Sequence, residues 1–395
     1  MGWRFGRVWI CLASVVLAGC AAVRDFPAAN LAPRERLVDL AAADDMRPAA
    51  AGPVALVSHA EGEPANVLVL SGGGMNGAFP AGLLKGWSES GTRPRFDVVT
   101  GISTGALIAP FAFLGAECDS ELERVYTTMN ASQIYRLRWL WSLPWADALA
   151  DSEPLRRRIK KELTAAMLAR IADEHRRGRR LYVGTTNLDT LQLVVWDIGA
   201  IAAGDDPQKL DLVHEVLLAS CSIPGLLPPV PINVVIDGKR YSELHADGNV
   251  SASLFVPAEM LESGSESSSP VNVYVIVAGK LAPERATVAR RLWHVSDMSL
   301  KGLIQSQMEG DLQRVYLSTR LSGARFHLAA IPQDLATNSD SMSFDQKSMR
   351  KIFDAGREFG KVGRPWNEAP PGIDPAEWTA PRGGVEFRRA VVPAR

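Results

Sequence analysis

The stretch FDVVTGISTGALIAP, Phe96 to Pro110, carries an apolar run straight into a serine flanked by glycines and then into a second apolar run. The first run, FDVVTG, has the length and branching of a buried strand, and STGALIAPFAFLG continues as an apolar helix. Gly101-Ile102-Ser103-Thr104-Gly105 is therefore a G-x-S-x-G at a strand-to-helix turn. In that setting Gly101 and Gly105 allow a sharp elbow that lifts the Ser103 hydroxyl above the sheet. The helix start beside it favours negative charge developing nearby. Ser103 is read as a catalytic nucleophile.

The same strand, glycine turn and helix occur just upstream. ANVLVL (Ala65 to Leu70) is strand-like, SGGGMNG follows, and AFPAGLLKGW has helical spacing. Three consecutive glycines leave backbone N–H groups unhindered, as an oxyanion hole requires. The loop lacks the Lys-Ser/Thr ending of a nucleotide P-loop and the spacing of a dinucleotide fingerprint. Gly72, Gly73 and Gly74 are therefore candidate oxyanion residues. Downstream, LYVGTTNL, LQLVVWDI and VNVYVIVAG read as strands, and DLVHEVLLAS and a stretch from about residue 286 to 321 as helices. The alternation predicts an α/β domain with a largely parallel sheet covered on both faces. ASCSIPGLLPPV (Ala219 to Val230), taken alone, is a rigid connecting loop. Of two Asp-Gly steps, Asp237-Gly238 lies between strand-like runs and reads as a hairpin turn. Asp247-Gly248, in ELHADGNV, ends the second run, where an aspartate can face a site.

Four motifs in this order, GGGxxG, GxSxG, ASxxxPxxxPP and a later Asp-Gly, resemble the patatin-like phospholipase family over roughly residues 65 to 279. The resemblance implies a three-layer α/β fold with a central, largely parallel sheet flanked by helices. It also implies a Ser-Asp dyad with Ser103 as nucleophile and Asp247 as general base, acting on lipid esters without a cofactor or metal, with Gly77 joining Gly72, Gly73 and Gly74 around the oxyanion hole. Two positions depart from the family pattern. Asn76 stands where a basic residue is usual, and Asn249 where a small residue usually follows Asp-Gly. The rival enzymatic reading is a Ser-His-Asp triad using His294 or His327, with His245 set aside as pointing to the opposite face of its strand from Asp247. A non-catalytic lipid-binding protein is the reading of a different class.

The rest of the chain bounds these expectations. At 395 residues, with 47% hydrophobic and 22% charged residues and a formal net charge of −1, it has an ordinary globular balance and no field to recruit nucleic acid. RRRIKKEL (Arg156 to Leu163) and HRRGRR (His175 to Arg180) read as solvated helix faces, with a patch for anionic lipid headgroups as the alternative. Arg4 and Arg7 precede the apolar run VWICLASVVLAG, which ends at Cys20. This resembles the signal and lipobox of bacterial lipoproteins: residues 1–19 a signal peptide, Cys20 the lipidated anchor, 20–63 a tether rich in Ala, Pro and Gly. A membrane-anchored, periplasm-facing location is expected, with the outer membrane favoured because Ala21 replaces a retention aspartate. The catalytic domain is expected over 64–335, with a helical segment and a Pro/Gly-rich tail over 336–395. Of four cysteines, Cys118 and Cys221 remain in the folded part, and their pairing is not readable. SGSESSSP (Ser263 to Pro270) is a surface loop by composition. Trp139, Trp141 and Trp145 read as core packing, with a lid or membrane-facing surface as the alternative.

Overall fold

The computed structural model describes residues 64–236, 239–257, 270–283, 287–337, 340–363 and 366–375. The expected signal peptide, Cys20 and the tether lie outside these residues. So do the Asp237-Gly238 step, nearly all of the serine-rich loop and the end of the C-terminal tail.

Ten strands and nine α-helices are found among the described residues. The strands are β1 (Ala65–Leu70), β2 (Val98–Ile102), β3 (Arg136–Leu137), β4 (Ala150–Asp151), β5 (Arg180–Asn187), β6 (Gln192–Asp197), β7 (Val230–Ile236), β8 (Lys239–Asp247), β9 (Val271–Val277) and β10 (Arg325–Ala330). The helices are α1 (Ala78–Glu89), α2 (Thr104–Leu114), α3 (Asp119–Thr128), α4 (Glu153–Glu162), α5 (Ala165–Arg176), α6 (Ile198–Ala203), α7 (Lys209–Ser220), α8 (Leu292–Leu321) and α9 (Gln346–Lys361).

Among the described residues the central sheet has eight strands in the order β10-β9-β1-β2-β5-β8-β7, with β6 on β5. β10, β9, β1, β2 and β5 pair in parallel, and β6, β8 and β7 join antiparallel. The sheet is largely parallel, as the alternating pattern predicts. β1 explains the layering. Leu68 and Leu70 point into one hydrophobic cluster, Val67 and Val69 into another, so both faces are covered and the strand is apolar throughout. The first cluster packs α1 to α7 and α9; the second packs α8 through Leu312, Val315 and Tyr316.

The core continues past residue 335, the expected end of the catalytic domain. α9, capped by Asp345 Oδ2 accepting from the Ser348 N–H at 2.8 Å, buries Met349, Ile352 and Phe353 in the main cluster. Its approach to α1 is backbone-close. A Cβ on Gly82 would stand 2.0 Å from the Phe353 carbonyl oxygen, and one on Gly356 2.2 Å from that of Phe79. Glycine is needed on both helices at that contact.

Candidate active site

The site forms where two strands meet end to end on β5. β2 lies along one edge of β5 and ends with Ile102 opposite Gly184. β6 occupies the other edge. β8 enters antiparallel on the β2 edge and ends with Asp247 opposite Thr185, the next residue of β5. Ser103 and Asp247, 144 positions apart in sequence, are thus the termini of two strands that abut. The Ser103 hydroxyl donates to Asp247 Oδ2 at 2.7 Å.

The elbow itself is strained. Ser103 sits at φ 53° and ψ −122°, a left-handed region that a side chain enters at a cost of about 1–3 kcal/mol. Its neighbours must be glycine for want of space. A Cβ on Gly101 would lie 2.5 Å from the Gly105 carbonyl oxygen, and one on Gly105 2.5 Å from that of Leu70. Ser220 holds the elbow in place: its hydroxyl accepts from the Ser103 N–H at 3.0 Å and donates to the Gly184 carbonyl at 2.7 Å. The segment ASCSIPG that reads alone as connecting structure is therefore a bracket. Ser222 completes it, its carbonyl accepting from the Asp247 N–H at 2.9 Å.

Asp247 is buried, and that burial pushes its carboxyl up to about 6, against opposing hydrogen bonds from the Asn249 N–H, the Ser103 hydroxyl and the Asn249 side chain. Asn249, one of the two departures from the family pattern, donates to Oδ1 from its backbone at 2.9 Å and from Nδ2 at 3.0 Å. Two donors on Oδ1 leave Oδ2 to face the serine. The residue fits because Gly72 has no side chain: a Cβ there would fall 2.0 Å from Asn249 Nδ2.

The four candidate glycines divide into two kinds. The Gly72 N–H donates to the Ser253 carbonyl at 3.3 Å, and Gly77 makes room for the Thr104 hydroxyl, which pairs with Tyr126 at 2.7 Å. Among the described residues no acceptor is engaged by the N–H groups of Gly73 or Gly74. Gly74, at φ +57°, lines the same pocket as Ser103. The start of α2 adds the N–H groups that every helix leaves unpaired in its first turn. Asn76, the second departure, keeps a buried side-chain oxygen without a partner.

The pocket is apolar, with Leu107, Met129, Ile134, Leu227, Met342 and Phe344 among its walls, and its free volume is about 30 Å³, one water's worth. A second pocket of about 30 Å³ shares Leu107, Met129 and Leu155 with it and continues along α2 past Pro110 and Phe111. A loop at 340–345 supplies two walls of the first pocket, Met342 and Phe344. The Ser341 carbonyl accepts from the Met75 N–H at 2.9 Å, and the Met342 carbonyl accepts from the Tyr135 hydroxyl at 3.1 Å. Phe344 holds a strained φ of 45° there. Cys118 and Cys221 are both free and buried, and burial raises both thiols, so Cys221 is a neutral wall of the pocket.

The described histidines stand elsewhere. His294 is exposed on α8. His327 lies on β10, three strands or roughly 14 Å across the sheet from β2, stacked on Tyr274 at 4.7 Å. The alternation argument against His245 fails, because residues 245 and 247 are two apart and share a face. Its own bonds engage it instead, to the Thr185 hydroxyl at 2.9 Å and Glu243 at 3.2 Å. The basic runs are matched by acids: Arg156 with Glu215, Arg157 with Glu153, Arg158 with Glu162, Lys160 with Asp211, Arg177 and Arg179 with Glu174. Most lie on helix faces, but Arg179 departs from the solvated reading: it is buried and donates to the Phe96 and Phe113 carbonyls.

Against known families, residues 68–261 match the patatin-like phospholipases. This chain carries a patatin-like phospholipase domain. The family is one of lipid ester hydrolases, and the patatin-like domain takes in both Ser103 and Asp247. Among solved structures, VipD from Legionella pneumophila is 11% identical, with 74% of this chain and 67% of VipD covered at a TM-score of 0.36. ExoU from Pseudomonas aeruginosa, in complex with SpcU, is 14% identical, with 75% of this chain and 53% of that chain covered at 0.32. A second ExoU structure is 13% identical, with 77% and 56% covered at 0.28. The chain thus spans little more than half the length of ExoU. No curated protein sequence matches it.

Proposed function

We propose that the chain is a serine acyl hydrolase that releases fatty acid from phospholipid or lysophospholipid esters through a Ser103–Asp247 dyad. The observation that carries the reading is the 2.7 Å hydrogen bond from the Ser103 hydroxyl to a buried carboxylate whose pKa is pushed up to about 6. An ordinary aspartate near 3.8 is a poor base, and burial brings this one closer to a working value.

Asp247 Oδ2 takes the hydroxyl proton as Ser103 Oγ bonds to the ester carbonyl carbon. The negative charge that develops on the carbonyl oxygen is held by the N–H groups of Gly73 and Gly74. The carbon–oxygen bond to the alcohol then breaks, Asp247 returns its proton to the departing oxygen, and an acyl-Ser103 remains. Water attacks that ester, giving one proton to Asp247, which passes it to Ser103 Oγ as the fatty acid leaves. One well-aimed oxyanion donor contributes about 2.7–4 kcal/mol. The acyl chain runs along α2 through the two joined apolar pockets. Their small free volume means that Met342 and Phe344 move aside as it enters.

The same proposal includes Cys20 as a lipidated N-terminus that tethers the domain to the periplasmic face of a bacterial outer membrane. Fatty-acid release from radiolabelled phosphatidylcholine and lysophosphatidylcholine, with covalent labelling by a fluorophosphonate, tests the chemistry. Wild type should label and release fatty acid, and Ser103→Ala should do neither. A folded wild type that neither labels nor hydrolyses any ester refutes the reading. Palmitate incorporation lost in Cys20→Ala tests the anchor.

A further inference from the structure

The tryptophans that composition assigned to the core stand in solvent. Leu137, Trp139, Trp141, Trp145 and Leu149 are 67%, 83%, 84%, 56% and 50% exposed. They run from the last residue of β3 through the chain that leads to β4; the two strands pair as a short antiparallel stem, with a 3-10 turn over Leu140–Trp145 between them. Indoles exposed by more than four-fifths touch little of their own protein, so the tip is convex. An exposed apolar patch of this kind marks an interaction surface.

The stem is wired to the pocket. Ile134, two residues before β3, is a pocket wall, and the neighbouring Tyr135 holds the loop that carries the walls Met342 and Phe344. On the other side the Leu149 N–H donates to the Gly225 carbonyl at 2.9 Å and the Ala150 N–H to that of Leu226 at 2.9 Å. Ile223 and Leu227, on either side of those carbonyls, are also pocket walls. Both legs of the hairpin therefore end on the rim of the pocket beside Ser103.

We propose that this hairpin is a lipid-surface docking element that seats the pocket mouth against an aggregate of the substrate; the inference rests on the lipid-hydrolase reading above. Shape and chemistry favour a lipid surface over a protein partner. A convex indole tip buries little against a second rigid surface, whereas a fluid bilayer yields around it. Indole suits the boundary between water and acyl chain. Behind the tip, Arg136 pairs with Asp151 and Arg138 with Asp147, which leaves the patch without net charge. Docking is then driven by indole insertion and depends little on anionic headgroups. The same insertion pulls on Ile134, next to one leg, and on the segment from Ile223 to Leu227 that the other leg is bonded to, which links docking to widening of a pocket with little free volume.

The test uses full-length chain with Cys20→Ala, so that no acyl anchor contributes, and the triple variant Trp139→Ser, Trp141→Ser, Trp145→Ser. Binding to phosphatidylcholine vesicles is measured by co-sedimentation in a Ser103→Ala background, where hydrolysis plays no part. The triple variant should lose at least about tenfold in vesicle affinity. With Ser103 restored, hydrolysis of vesicle lipid should fall by a similar factor, while kcat/KM on a soluble short-chain ester stays within about twofold. Unchanged vesicle affinity overturns the proposal, and so does an equal loss on the soluble ester, which signals damage to the site. A dimer that becomes a monomer on substitution overturns it too, with a second copy as the occupant. Vesicle binding by the Ser103→Ala protein is read independently of hydrolysis, so failure of the docking proposal is distinguishable from failure of the proposed chemistry.

Discussion

Asp247→Asn should abolish hydrolysis and stabilise the protein, and the two effects have one cause. The native carboxyl is held near 6 by burial, against an ordinary value of 3.8. A carboxyl raised on folding contributes its stability when protonated. That contribution is complete below 3.8 and is lost as pH rises through about 6. At pH 8 the ionised carboxylate thus costs the native state about 3 kcal/mol, and at pH 4.5 about 1 kcal/mol. Asparagine carries no charge and keeps an acceptor for the Asn249 N–H that now bonds Oδ1 at 2.9 Å. The variant should therefore gain about 2 kcal/mol more over wild type at pH 8 than at pH 4.5. Urea unfolding of the two proteins at both pH values measures this directly, and the quantity of interest is the change in the difference between them. Fatty-acid release should fall at least about 10²–10⁴-fold, the ordinary worth of a general base. A stability difference that does not change with pH refutes the claim that the carboxylate is held at a cost. Hydrolysis retained within about tenfold refutes its role as the base.

Further outcomes follow from neighbouring contacts. For wild type, kcat/KM on a soluble ester should climb with pH through a single ionisation near 6 and level off above it, because the base must be unprotonated; a limb absent below pH 7 contradicts the assignment. Ser220→Ala removes both the acceptor for the Ser103 N–H and the bond to Gly184. It should cost about 1–3 kcal/mol in denaturant unfolding and lower kcat, with KM little changed. Gly302→Ala and Gly310→Ala, on α8 with open space around each, should each stabilise the protein by about 0.5–1 kcal/mol. Gly82→Ala, where a Cβ meets the Phe353 carbonyl oxygen at 2.0 Å, should destabilise by about 1–3 kcal/mol in the same thermal or urea assay.

How much of this was legible in the sequence depends on whether the determining contact is local. The elbow is local: a strand, two glycines and a helix within fifteen residues, and the same holds for the glycine turn after β1. The layered sheet is nearly so, because a strand buried on both faces must be apolar at every position, as ANVLVL is. The Ser103–Asp247 bond is different in kind. It rests on β2 and β8 meeting opposite consecutive residues of β5, a register that no spacing along the chain records. Sequence offered Asp247 as a strand-end candidate, but only the motif order of a family paired it with Ser103. The part played by Asn249 was hidden for a related reason, since its donors matter only once Gly72 has vacated the space beside them.

The tryptophans show the opposite failure. Hydrophobic type carries a strong prior for burial, and QIYRLRWLWSLPW offers no period that would assign those side chains to a face. The deciding fact is topological. β3 and β4 are two residues each and pair only with one another, so the tryptophans between them have no layer to pack against, while the chain returns to the body only at the buried Ala148 and the Leu149 N–H. A stem that short cannot bury three indoles. Leaving them in water is unfavourable at roughly 25 cal/mol per Å² of apolar surface. Each indole side chain exposes on the order of 100–200 Å², so the patch stands at a penalty of several kcal/mol that any covering surface relieves. That the legs of the same hairpin end on Ile134 and beside Leu227, two walls of a pocket with room for about one water, ties the penalty to the site. A surface that relieves the first is placed to open the second.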